Sequence, residues 1–384
     1  MTDLLPPPTA LRMLGAARRI AKRLPGFLQS PLRVLWRRLL NSGLSERTRY
    51  RLRIAAEQVV FEGQTEVHDL PEIFHYWSNR YLRPKFESFG FSNPDDFFLT
   101  FAAQSLRDST QSAPTLLSIG SGNCDTEVRL ALGLRSVGLT NFTIECIDLN
   151  ARMLARGREL AQSAGLVGQL RFVEADFNRL NLSRRYDCVV ANQSLHHVVE
   201  LEHLFGQVST ALLPHGRFLV SDMIGRNGHM RWPEALVLVE ELWASLPESR
   251  KYNHQLRRLE REFVNWDNSG VGFEGVRAQD VLPCMARCFK FELFVGYGNV
   301  IDIFIDRSFG PNFDAEDPAD RAFIDKVHAI DEAAIHAGTL TPTHAVIVAR
   351  SADFAGATRC WNGLTPERAI RDPATSGVRP AVQS

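Results

Sequence analysis

Seven short apolar runs punctuate the chain from about residue 115 onward, and the segments between them show helical spacing of apolar and polar positions. The runs lie in LLSIG (116–120), TIECID (143–148), RFVEAD (171–176), YDCVVAN (186–192), FLVSDMI (218–224), FELFVGYG (291–298) and THAVIVARS (343–351). Each reads as a strand. Upstream, ERTRYRLRIAAEQVVFE, PEIFHYWSNRYLRPKFESF and PDDFFLTFAAQSLRD predict three helices, separated by Gly63 and by the Phe89 to Asn93 turn. After the fifth run, IGRNGHMRWPEALVLVEELWASLP and a polar basic helix through Arg261 are expected to fill a long insertion. A second insertion, between the sixth and seventh runs, reads as the loop DRSFGPNFDAEDPAD and the helix RAFIDKVHAIDEAAIHAG.

The first run passes through Gly120, Ser121 and Gly122 into the helical pattern DTEVRLALG, and Asp148 stands where the second strand would end. An acidic residue there is placed to hold the hydroxyls of a ribose, while the glycines let backbone approach the rest of a nucleoside ligand. A dinucleotide would want a third glycine and an unencumbered helix start for its pyrophosphate. This chain instead continues with Asn123, Cys124, Asp125, Thr126 and Glu127. Carboxylates at a helix start repel phosphate and suit a cation. S-adenosylmethionine, whose sulfonium and ammonium are cationic, fits better than NAD.

With these runs in order, the segment from about Pro114 to Asp222 resembles a class I S-adenosylmethionine-dependent methyltransferase. The resemblance implies a Rossmann-like α/β fold: a seven-stranded, mostly parallel sheet with one antiparallel strand, a helical N-terminal extension and helical insertions over the active site. It assigns Gly120, Ser121, Gly122, Asp148 and Leu149 to the cofactor, with Asp176 accepting a hydrogen bond from the adenine amine and Phe177 packing beside the ring. Asn192 joins them. Two departures stand out: Ser118 where the family often has an acidic residue, and Cys124 where it has a third glycine.

Boundaries follow from punctuation. Residues 1–45 form a basic amphipathic arm, 46–112 a helical cap, 113–351 the methyltransferase domain with insertions at 226–288 and 299–342, and 352–384 a loose tail. Because helices preceding the first strand line the substrate entrance in the resembled family, Trp77, Tyr81 and Arg83 are candidate cap residues.

Composition changes the picture in three ways. The 384 residues carry 44 basic and 44 acidic side chains, which removes any overall bias toward nucleic acid. Residues 1–53, which include the arm, are however strongly basic, from Arg12 to Arg53 against only Asp3 and Glu46, and leucines interleave with the arginines. Peripheral contact with an anionic membrane and packing on the domain both suit that pattern. No run is long and apolar enough to span a bilayer, and arginines interrupt any secretory core, so a cytoplasmic location, peripheral at most, is expected. Finally, the six scattered cysteines suit a reducing compartment, and neither they nor the histidines show metal-ligand spacing; no metal is expected.

Methyl transfer to a hydroxyl needs alignment and a base. His196, His197 and Asp222, at the ends of the fourth and fifth strands, are the candidates, one of the adjacent histidines being expected to point away from the cleft. Segments around Arg231 and Trp232 and around Arg277 and Asp280 resemble, more weakly, methyltransferases found near glycosyltransferases in bacterial polysaccharide or natural-product clusters. Trp77, Tyr81, Arg231 and Trp232 are thus the candidate contacts for a small-molecule or glycan substrate. A catalytically degenerate fold acting through partners is the alternative.

Overall fold

The computed structural model describes Thr48, residues 50–54 and residues 70–371 apart from Val271; the basic arm lies outside the described residues. Among the described residues, ten strands occur in chain order: β1 Thr115–Ile119, β2 Thr143–Asp148, β3 Leu170–Glu174, β4 Tyr186–Asn192, β5 Leu212–Met223, β6 Tyr252–Asn253, β7 Arg258–Leu259, β8 Lys290–Tyr297, β9 His344–Arg350 and β10 Arg359–Cys360. Eight of them form one sheet in the order β10-β8-β9-β5-β4-β1-β2-β3. Only β9 runs against its neighbours in this sheet, pairing antiparallel with both β5 and β8. The mostly parallel α/β fold expected from the sequence is therefore present, with one strand more than expected.

The order of pairing fixes where a ligand can sit. The chain builds β1, β2 and β3 outward in one direction, then returns to lay β4 on the other side of β1. Neighbouring loops after β1 and β4 consequently leave in opposite directions, opening a crevice at their carboxyl ends. Every residue of β4 from Tyr186 to Ala191 is buried, as a strand covered on both faces requires.

Helices on the two faces close the core. The 94–107 helix begins at Asn93, whose side chain accepts a hydrogen bond from Asp96 N, with Pro94 at its first position. Its Phe97, Phe98 and Phe101 are buried, and Phe97 and Phe101 meet Phe91 in edge-to-face contacts. The 151–163 helix is capped by Asn150 and covers β2 and β3.

Two expectations need correction. The stretch through Arg261 is no basic helix: β6 and β7 form a hairpin, with Arg257 at φ 53° in its turn and Asn253 Oδ1 accepting from Leu256 N at 2.9 Å. The expected loose tail also carries structure. β10 pairs with Leu293 and Phe294, covering the β8 edge, and Leu364 and Ala369 beyond it are buried.

Candidate functional site

The turn after β1 is stitched to the end of β2. Gly120 N and Ser121 N both donate to Ile147 O, at 2.8 and 3.1 Å. Gly120 has φ +72°, and a Cβ on it would lie 2.5 Å from Ser194 Cβ, so neither its conformation nor its surroundings admit a side chain. Asp148 organises the adjoining backbone: its Oδ2 accepts from Gly122 N and its Oδ1 from Asn150 N, both at 2.8 Å.

Glu127 lies in the first turn of the 125–136 helix and is fully buried. Its Oε1 accepts a hydrogen bond from the Ser118 hydroxyl at 2.5 Å, while its Oε2 is buried without a hydrogen-bond partner. Burial, only partly offset by that hydrogen bond, raises its pKa from 4.5 to about 7. Ser118 is where the resembled family often has an acid, and Glu127 brings a carboxyl group to the same spot from the next element. Sequence reading noted both residues without pairing them. An orphaned buried carboxylate oxygen beside the glycine turn fits a cationic ligand group and opposes a pyrophosphate.

Asp176 faces the same region from beyond β3. Both of its oxygens accept from the Tyr50 hydroxyl, at 2.8 and 2.7 Å, and its Oδ1 also accepts from Asn178 N. Leu149 packs with Ile54 and Phe273, bordered by Tyr50, Val199 and Val276, which forms an apolar wall next to the two aspartates. Phe177 packs against the main core. Asn192 donates from Nδ2 to Thr126 Oγ1 at 3.1 Å, tying the end of β4 to the start of the 125–136 helix. Gln193 then adopts φ 52°, a left-handed conformation rare outside glycine, as the chain turns into the histidine segment.

His196 Nδ1 meets Asp222 Oδ1 at 2.6 Å, and Asp222 Oδ2 accepts from the backbone N–H groups of Ser194 and Leu195. The Asp222 side chain is completely buried. The 226–288 insertion supplies the remaining members: His229 Nε2 lies 2.7 Å from Glu274 Oε1, and His196 Nε2 lies 3.6 Å from the same oxygen. Contrary to expectation, His197 also turns inward, its Nε2 3.8 Å from Glu274 Oε2. Glu274 bridges both histidines, which lets the tight 195–197 turn direct two neighbours to one carboxylate. Sequence reading missed Glu274 and His229, since neither belongs to a motif or a periodic element.

Charge is concentrated here. Burial alone would push the His196 imidazole down, but Asp222, through charge and hydrogen bond, and Glu274 outweigh it and hold the pKa at about 10. Glu274 is held well below the carboxylate range despite burial, chiefly by hydrogen bonds with His196 and His229. Burial pushes His229 down, and Glu274 opposes this only in part. Tyr297 and His344, at adjoining ends of β8 and β9, stack with ring centroids 5.6 Å apart, and burial followed by the charges of Asp302 and Asp222 raises the Tyr297 phenol.

Among the substrate candidates, Arg231 reaches this cluster, its guanidinium donating to His229 O at 3.4 Å. Trp77 is buried and donates to His328 Nδ1, on which Tyr81 also stacks at 3.8 Å. Arg83 pairs with Glu87 on the surface. Arg231 is buried against Asp302 at 3.1 Å, and Trp232 lies between the guanidinium groups of Arg226 and Arg371.

Residues 111–268 match the family model described as a methyltransferase domain. That class of enzyme takes S-adenosylmethionine as its cofactor, in agreement with the anionic, glycine-turned site. Among individual proteins, the ubiquinone/menaquinone biosynthesis C-methyltransferase of Citrobacter koseri is 31% identical over 107 residues, which are 28% of this chain and 41% of that protein. The chain thus spans about two-fifths of the length of the curated relatives it matches. Two solved structures are similar at low identity. A geranyl diphosphate methyltransferase in complex with S-adenosylmethionine is 13% identical over 67% of this chain and 83% of its own, with a TM-score of 0.38. The O-methyltransferase of a trans-AT polyketide synthase from Brevibacillus brevis, in complex with S-adenosyl-L-homocysteine, is 10% identical over 76% and 82%, also at 0.38.

Proposed function

We propose that this chain transfers a methyl group from S-adenosylmethionine to a hydroxyl oxygen of a small molecule or glycan. One observation carries the reading: a glycine turn hydrogen-bonded to Asp148 and a buried His196–Asp222 pair occupy adjoining strand ends of the same sheet. Gly120, Ser121, Gly122, Asp148, Leu149, Asp176, Phe177 and Asn192 would hold the nucleoside, and Glu127 would face the ammonium. When bound, the cofactor supplies a carbon activated for in-line displacement. His196, His197 and Asp222 then serve the acceptor: Asp222 fixes the His196 ring, His196 would orient the acceptor as a charged donor, and His197 beside Glu274 would receive the hydroxyl proton.

A glycan acceptor is supported by the weaker sequence likeness to enzymes encoded near glycosyltransferases. Of the four substrate candidates, Arg231 adjoins the histidine group, donating to His229 O at 3.4 Å and sharing Asp302 with His344, so that Arg231, Tyr297 and His344 together would meet an acceptor. The basic arm would hold a lipid-linked acceptor near an anionic membrane. Among the described residues no helix is long and apolar enough to cross a membrane.

Calorimetric titration with S-adenosylmethionine and, separately, NAD tests the cofactor. Micromolar binding of the first alone is expected. Transfer of isotopically labelled methyl to a panel of sugar and phenol acceptors then tests the acceptor atom, and absence of cofactor binding would refute the reading altogether.

A further inference from the structure

We propose that His196, His229 and Glu274 bind one divalent transition-metal cation, through Nε2 of each histidine and the glutamate carboxylate. Their ligating atoms all lie within 4.8 Å of one another, the donors of Glu274 being 2.7 Å from His229 and 3.6 Å from His196. Metal–ligand bonds of about 2.1 Å place tetrahedral donors about 3.4 Å apart, so small side-chain shifts close the triad around an ion. Two imidazoles and one carboxylate select a transition cation over calcium or magnesium, and three protein ligands leave positions open for an acceptor.

The surroundings are built to hold these three groups. Asp222 accepts from His196 Nδ1 at 2.6 Å and is itself fixed by Ser194 N and Leu195 N, an outer carboxylate that orients the ring and turns Nε2 toward Glu274. The two insertion loops that carry His229 and Glu274 are cross-tied. Gly228 N donates to Gly275 O at 2.9 Å, Asn227 N to Gln279 Oε1 at 3.2 Å, and Gln279 N to Asn227 Oδ1 at 3.1 Å. His229 itself is held at φ 57°, an uncommon conformation for a side-chain-bearing residue. Nothing in the methyl-transfer scheme requires His229 to be there.

The cation's use rests on the methyl-transfer reading; its binding does not. An acceptor hydroxyl coordinated at an open position becomes more acidic. Its O–H bond breaks, the proton passes to His197, and the freed oxygen lone pair forms the new bond to the methyl carbon as the carbon–sulfur bond breaks. His196 then acts as a ligand oriented by Asp222.

The test uses the full chain, stripped with a chelator and titrated with Co2+ and with Zn2+, following the visible ligand-field absorption of cobalt. One equivalent is expected, with binding weakened at least about 100-fold in His229→Ala and Glu274→Gln and about 10- to 100-fold in Asp222→Asn. Paramagnetically shifted imidazole resonances in the unmodified cobalt protein identify the ligands even if a variant fails to fold. No stoichiometric binding, or binding unaffected by His229→Ala, overturns the site and leaves an adventitious ion only. Methyl transfer that persists in the metal-stripped chain overturns the cation's use while sparing the cofactor reading. Cobalt binding at this site without S-adenosylmethionine affinity upholds the site and refutes the cofactor reading.

Discussion

The Glu127 carboxylate accepts a 2.5 Å hydrogen bond from the Ser118 hydroxyl, linking the first turn of a helix to the strand before it beneath the glycine turn. Glu127 titrates near 7 in the fold against an ordinary value of 4.5, so the folded protein retains its proton where the unfolded chain has lost it. Its contribution to stability is fully present below about 4.5 and is lost as the pH rises through about 7. Replacing it with Gln should therefore raise the melting temperature relative to the unmodified protein progressively between pH 5 and 8. A difference that stays flat with pH would show that Glu127 does not titrate there.

Cofactor binding adds a second readout of the same group. An ammonium beside Glu127 favours its ionised form, so S-adenosylmethionine should bind with release of a proton at pH values just below the Glu127 pKa of about 7. Calorimetry in buffers of different ionisation enthalpy measures that proton, and Glu127→Gln should abolish it.

Asp148→Ala should weaken S-adenosylmethionine binding by about 10- to 150-fold, the equivalent of one charge-assisted hydrogen bond at about 1.5–3 kcal/mol. Fluorescence titration gives the affinity, and circular dichroism should show that the sheet persists. Unchanged affinity would remove Asp148 from the ribose.

Gly120→Ala places a methyl group 2.5 Å from Ser194 Cβ at φ +72°. A loss of about 1–3 kcal/mol in denaturant unfolding is expected. Adding Ser194→Gly should recover only part of it, because relieving the contact leaves the backbone strain in place.

Asp222→Asn tests a buried acceptor. The carboxylate receives Ser194 N, Leu195 N and Met223 N as well as His196, and an amide nitrogen cannot accept from any of them. The variant should lose about 1–3 kcal/mol of stability along with methyl transfer. Full stability with activity lost would make Asp222 a group of purely chemical importance.

The strands of the core were legible in the sequence because each is a short apolar run closed by a polar or glycine turn, as at Ile119–Gly120 and Ala191–Asn192. Asp148 and Asp222 could be placed for the same reason, since both terminate such runs. The hairpin at 252–259 was not legible: its two strands are two residues each, and the charged KYNHQLRRLER stretch carries a helical composition that local turn bonding overrides. His229 and Glu274 escaped for another reason. They are 45 residues apart, each in a short turn, and the Asn227–Gln279 and Gly228–Gly275 bonds bring them together. Tertiary closure of this kind leaves no periodic trace.

The histidine cluster is divided between two parts of the chain held by different structural constraints. His196, His197 and Asp222 sit on strand ends whose geometry the sheet dictates, whereas His229 and Glu274 belong to an excursion that returns to the sheet only at β8. Changing the length or loops of that excursion would displace His229 and Glu274 and leave the glycine turn and Asp148 in place. The excursion is thus a replaceable module: grafting another loop in its place is expected to rebuild the cluster without disturbing the half of the sheet that carries the glycine turn.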